Sequence, residues 1–230
     1  MTVPTRDKGG MHLEGLSAVA AVCTVAFVLL GALVALHPQP PGLETAVDRA
    51  LFASKDTIAF RLFHVITIAG SFAFVAAGAA VLGVECWRHS RDLRLAAGCI
   101  LGPGLAGVAE IGLKPVFGRA RPSTSLLTGE RGFGFPSGHA TGATALAVCA
   151  ITVAWALLAP GPRRAAIIAI SAGYAAVIGL SRVVVGAHHL GDVLGGCALG
   201  TAVATTVFAV LRPPTLIRRL GDDPTAPRPG

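Results

Sequence analysis

Leu16 to Leu36 reads LSAVAAVCTVAFVLLGALVAL and holds no charged side chain. A helix needs roughly 20 such residues to cross a hydrocarbon layer, and this run meets that length. It decides the solvent in which the rest must be read. Lipid offers the backbone no hydrogen bonds, so only helices and closed barrels cross it. The run is continuous rather than alternating, which argues against barrel strands. A cleavable signal peptide is the other reading of an early apolar run. Signal cores are usually about 7–15 residues long and precede an A-x-A site; this run is longer and no such site follows.

Five further runs are candidate spans by length and apolar character, at about 57–84 with Arg61 and His64 near its start, 95–113 interrupted by Glu110, 140–159, 165–185, and 190–211 with Asp192 in its first turn. Of the 230 residues 53% are hydrophobic and 13% charged, about half the charged share of a soluble domain. The expected fold is therefore all-α, an integral membrane bundle of six transmembrane helices over residues 16–211. Residues 1–15 form a short N-terminal segment. The tail, residues 212–230, is rich in Pro and Arg from Pro213 onward and reads as disordered. Between the first two spans, Leu43, Val47 and Leu51 recur at helical spacing with Glu44, Asp48, Arg49 and Lys55 among and after them. This predicts a short amphipathic helix, lying either on the membrane surface or in an ordinary loop.

With six spans both termini share a side. That side carries Arg6, Lys8, Arg88, Arg91, Arg94, Arg163, Arg164, Arg212, Arg218, Arg219 and Arg228. The other carries Arg49, Lys55, Arg61, Lys114, Arg119, Arg121, Arg131 and Arg182. Basic residues collect in cytoplasmic loops, so both termini are expected in the cytoplasm and the chain in the cytoplasmic (inner) membrane. The net charge of +7 is scattered over short loops and forms no basic stripe, so no nucleic-acid partner is expected. Cys23, Cys86, Cys99, Cys149 and Cys197 are odd in number and lack metal spacing, so neither a disulfide framework nor a zinc site is expected. Lysine occurs only at Lys8, Lys55 and Lys114, and the Ala-, Gly-, Val- and Arg-rich balance suggests a GC-rich bacterial genome.

Three polar segments fall on the side away from the termini: KPVFGRARP (Lys114 to Pro122), FPSGHA (Phe135 to Ala140) and SRVVVGAHHLGD (Ser181 to Asp192). Each abuts the end of a span, so a bundle can bring them together at its extracytoplasmic end. The clustered cations Lys114, Arg119, Arg121 and Arg182 suit an anion with several oxygens, and the guanidinium fork matches phosphate. Ser137 and Gly138 stand at a helix start, whose free N–H groups bind phosphate. No carboxylate cluster of the kind that holds magnesium is present, so neither a metal nor a cofactor is expected. Histidine can then attack phosphorus itself, provided it presents a neutral nitrogen and is oriented through the other. Asp192 shares a helix face with both His188 and His189, so spacing leaves that choice open. His139 is a candidate acid for the leaving oxygen.

Together, Lys114 with Arg121-Pro122, Pro136-Ser137-Gly138-His139, and Ser181-Arg182 with His188 and Asp192 resemble the three-part signature of the type 2 phosphatidic acid phosphatase superfamily. All three parts are intact and in order, and the six-span layout resembles the membrane-bound branch. ITIAGS, Ile66 to Ser71, is similar to a looser feature of the family's second span. The resemblance implies that His188 is the nucleophile, Asp192 its orienting partner and His139 the general acid. It implies that Lys114, Arg121, Ser137, Gly138 and Arg182 bind the phosphoryl oxygens, without metal. It also implies an outward-facing site.

The expected function is hydrolysis of a lipid phosphomonoester or diphosphate through a phosphohistidine. Candidate substrates are a polyprenyl diphosphate such as undecaprenyl diphosphate, a polyprenyl-sugar phosphate, phosphatidylglycerol phosphate and phosphatidic acid, with polyprenyl carriers of the cell envelope ranked first. A phosphotransferase with an acceptor other than water is the alternative. A transporter would place its ionisable residues at mid-span, whereas these gather at span ends. Glu110, four residues before Lys114, is expected to pair with it. Arg119 and Arg131 are left between a substrate head group and water, and the oligomeric state is open.

Overall fold

The computed structural model describes residues 8–37 and 39–221, with the backbone alone for residues 8–13, 126–128 and 218–221. Arg6 and Arg228 lie outside the described residues. Among the described residues all regular structure is helical: α1 (Lys8–Leu36), α2 (Gly42–Leu51), α3 (Ile58–Ile66), α4 (Phe72–Ser90), α5 (Leu93–Phe117), α6 (Gly138–Leu157), α7 (Pro162–Val184), α8 (Leu190–Leu211) and α9 (Pro214–Gly221), with 3-10 turns at Thr67–Gly70 and Ser123–Thr128. Five helices are long and apolar enough to cross a membrane, or six if α3 and α4 count as one span.

Local chemistry sets the helix ends. The Asp92 carboxylate accepts the Arg94 and Leu95 N–H groups, each at 3.1 Å, and starts α5. Gly118, at φ 58°, closes α5 with its N–H on the Lys114 carbonyl. That left-handed cap costs a glycine little, and it turns the chain so that Arg119 and Arg121 follow directly. Pro162 opens α7, where its missing N–H is not needed. Asp192 caps α8 by accepting the His189 N–H at 3.0 Å.

The bundle is inside-out in residue size. Val108, Ile111, Ile170 and Val210 face outward, while the centre is built from Ala106, Ala145, Cys149 and Ala204 with Leu95, Cys99 and Phe208. Lipid gives helices no hydrophobic reason to associate, so small residues that allow close contact mark the interfaces. α8 lies at the centre, packed on α1, α5 and α6. Gly196 and Gly200 bring it against the backbone of α6, where a Cβ would collide with the Ser137 and Thr141 carbonyls. Phe135 is fully buried between Phe27 of α1 and Phe117 of α5, which pins the segment leading into α6.

Two expectations change. The second span, read as continuous, is bent by 48° at the Thr67–Gly70 turn. Ser71 is extended there and caps α4 by accepting the Phe74 N–H, so a new helix starts inside one apolar run. The tail read as disordered begins with α9. Pro214 opens that helix, Leu216 is buried against the core, and the Thr215 N–H donates to the second Asp92 oxygen at 2.9 Å. Residues 222–230 lie outside the described residues.

Candidate active site

The ends of α5 and α7 and the starts of α6 and α8 meet at one end of the bundle. Arg121 and Arg182 converge there on one carboxylate, that of Glu130. Arg182 Nη2 lies 2.5 Å from Glu130 Oε1, and Arg121 Nη2 lies 3.3 Å from Oε2. Arg182 is 1% exposed, and its Nη1 donates to Thr67 Oγ1 at 2.6 Å, so the bend in the second span holds it. Two guanidinium groups on one carboxylate are the geometry of an anion pocket. Burial alone would raise the Glu130 carboxyl; Arg182 and Arg121 outweigh that and hold it below its ordinary range.

His188 borders the same pocket. Its Nε2 lies 2.8 Å from Arg121 Nη1 and its Nδ1 lies 3.4 Å from Asp192 Oδ2. A guanidinium can only donate, so Nε2 accepts and the ring proton sits on Nδ1, facing Asp192. The Nδ1 contact is at ion-pair distance but misses hydrogen-bond geometry. Arg121 also donates to the Ala187 carbonyl at 3.0 Å, and Thr124 Oγ1 to that of Gly186 at 2.8 Å. The loop after α5 is thereby fastened to the loop before α8. His189 has different surroundings: its Nδ1 lies 2.7 Å from Asp48 Oδ2 on α2. The helix face on which both histidines were expected beside Asp192 is not there: α8 begins at Leu190 with His189 as its extended cap, so His188 and His189 precede the helix.

Ser137 is buried, with its N–H on the Asp192 carbonyl at 2.9 Å. Its hydroxyl, like the Nε of Arg121 and of Arg182, is buried without a hydrogen-bond partner. Such donors are costly to leave unmet, and all three belong to motif residues. His139, in the first turn of α6, feels the charges of Arg182, Glu130, His188 and Arg121. Gly138 lies against Glu110, where a Cβ would come within 2.7 Å of Oε1.

Lys114 stands apart from this group. Its ammonium meets Glu110 at 2.8 Å, as the four-residue spacing predicted, and donates to the Pro136 and Phe133 carbonyls at 2.9 and 3.3 Å. An ammonium has three donors, and these partners match that number. Arg119, left between head group and water, is neither: it is 2% exposed and pairs with Glu44 and Asp192. Arg131 is exposed. Sequence reasoning missed Glu130, Thr67, Glu44 and Asp48 as site residues. The amphipathic pattern of α2 marks the last two as one polar face, but nothing in spacing marks Glu130.

A family model described as the PAP2 superfamily matches residues 92–224, which is more than half of the chain. The chain belongs to the PAP2 superfamily. The PAP2 match begins at the cap of α5 and contains α5 to α8, which carry all three motifs; α1 to α4 precede it. The crystal structure of a transmembrane PAP2-type phosphatidylglycerolphosphate phosphatase from Bacillus subtilis is similar at a TM-score of 0.69 and 23% identity, over 82% of this chain and 93% of that one. Its coverage of this chain is larger than that of the family match, so the likeness in fold reaches beyond residues 92–224. No curated protein sequence matches the chain.

Proposed function

We propose that the chain is an integral membrane lipid phosphatase that works through a phosphohistidine on His188, with its site on the outer face of the cytoplasmic membrane. The observation that carries this reading is the convergence of Arg121 and Arg182 on one anion beside the unprotonated Nε2 of His188. A substrate phosphate displaces the Glu130 carboxylate and takes the two guanidinium groups. The Ser137 hydroxyl and the first N–H groups of α6 supply further donors, as does Lys114 if it releases its loop carbonyls. Nε2 then attacks phosphorus while the bond from phosphorus to the lipid oxygen breaks, and His139 gives that oxygen its proton. Asp192 compensates the positive ring that forms. Water attacks the phosphohistidine in the second step, with His139 taking its proton. The chemistry needs no metal. The substrate is an amphiphilic phosphate or diphosphate with its head group at the interface. Polyprenyl carriers rank first, ahead of phosphatidic acid and of phosphatidylglycerol phosphate, the lipid for which the Bacillus subtilis phosphatase is named.

The test is phosphate release from a panel of these lipids in detergent. His188→Ala should lower turnover by about a thousandfold or more and abolish covalent labelling by phosphate, while His189→Ala should keep most activity. Near-normal turnover in His188→Ala sinks the mechanism. Label passed to an added alcohol instead of water would identify a phosphotransferase.

A further inference from the structure

A helix outside the family match reaches the same site. Glu44 and Asp48 lie one turn apart on α2. Asp48 Oδ1 accepts the Leu190 N–H at 3.0 Å, and Glu44 Oε1 accepts the Gly191 N–H at 2.7 Å. Two of the N–H groups that the first turn of α8 leaves unbonded are thereby met. Glu44 also holds Arg119 with both oxygens, at 2.7 Å to Nη2 and 3.2 Å to Nη1. Arg119 Nη1 passes on to Asp192 Oδ1 at 2.9 Å. The other Asp192 oxygen takes the His189 N–H at 3.0 Å and faces His188 Nδ1. Asp192 is fully buried, so its direction is set by these contacts and not by solvent.

We propose that Glu44 and Arg119 are positioning residues for the histidine nucleophile, Glu44 holding Arg119, Arg119 holding Asp192 and Asp192 holding the ring of His188. The inference rests on the phosphatase reading above. Glu44 matters through charge as well as place. A buried guanidinium paired with Asp192 alone would neutralise the anion that must offset the positive ring formed on attack. With Glu44 sharing Arg119, more of the Asp192 charge is left for His188. Glu44 pairs with Arg119 and Arg119 with Asp192, apart from the Arg121 and Arg182 guanidinium groups that take the phosphate and the Glu130 carboxylate it displaces. Their loss should therefore act on turnover and not on binding.

The experiment is a double-mutant cycle on the full chain in detergent with phosphatidic acid as substrate, alongside wild type and His188→Ala. Glu44→Gln should lower kcat about tenfold with KM changed less than about twofold. In an Asp192→Asn background the same replacement should change the residual kcat by less than about twofold, because the chain of contacts ends at the missing carboxylate. A merely structural role would give similar losses in both backgrounds, and that result, or an unchanged kcat in Glu44→Gln, overturns the proposal. If Glu44→Gln lowers Tm by many degrees, Arg119→Lys takes its place in the cycle, since it keeps the charge and loses the fork. The reference enzymes separate the two levels. If His188→Ala retains turnover, the phosphatase mechanism fails and the positioning role falls with it. If His188→Ala is inactive and the cycle is additive, only the positioning role fails.

Discussion

His188 is 2% exposed and must be neutral to act as a nucleophile. Burial pushes its imidazole down to about 4, with Asp192 opposing and Arg121 and Arg182 adding to the push. Glu130 and His139 complete the charged and titratable surroundings. The sign is that of a depressed base: protonation removes the reactive form, so the lower value extends the active range toward acid. Asp192→Asn removes the group that raises the value, so the acid limb of kcat/KM should move to still lower pH. The substrate's own second ionisation, near about 6 for a phosphate monoester, is common to both enzymes, so the difference between their profiles is the readout. A limb that stays in place or moves toward alkali would show that Asp192 does not act on His188. At this scale the ordered motifs were legible, and the structure brings Arg121, Arg182, His188 and Asp192 from them to one end of the bundle. Glu130 was not, since one carboxylate in a polar loop carries no periodicity, and its meaning comes only from the two arginines that meet it.

Among the elements, the segment between α5 and α6 contains the 3-10 turn Ser123–Thr128 and then Glu130, whose carboxylate lies between Arg121 and Arg182. In the proposed mechanism this internal carboxylate is a competitor that the substrate must displace, and apparent affinity falls with the fraction of protein it occupies. Glu130→Gln keeps the shape but loses the charge, so KM for the lipid phosphate and the inhibition constant for inorganic phosphate should both fall, by about tenfold if the carboxylate is bound most of the time. Steady-state kinetics with added phosphate measure both. A rise in either would mean that Glu130 helps to build the pocket. The elements themselves are unevenly legible in the sequence. Hydropathy reports how long an apolar run is and not whether it bends, so the turn at Thr67–Gly70 is hidden inside one span. Its ITIAGS sequence stands out, but its task of bonding Arg182 through Thr67 needs the fold. In the tail, the Pro content that suggests disorder also supplies the first residue of α9.

For the whole molecule, run length against bilayer thickness was enough to read a helical bundle, and the order of the motifs along the chain was enough to place them at one end of it. What length could not supply was the central place of α8, which depends on Gly196 and Gly200 meeting the backbone of α6. The side of the membrane on which the site opens rests on the loop charges, and it makes a prediction that involves no enzymology. Arg131 follows α5 and Arg163 lies in the first turn of α7; both are exposed, and an odd number of spans separates them. In a chain whose five native cysteines are replaced, Arg131→Cys should react with a membrane-impermeant maleimide added to intact cells. Arg163→Cys should react only after the membrane is opened. The physical reason is the summed bias, eleven basic residues on the side of Arg163 and the termini against eight on the other, since basic loops resist translocation. Lipid carriers turned over on the outer face of a cytoplasmic membrane could then reach Arg121 and Arg182 without crossing. The opposite labelling pattern would place the site in the cytoplasm and would remove the ground on which polyprenyl carriers are ranked first.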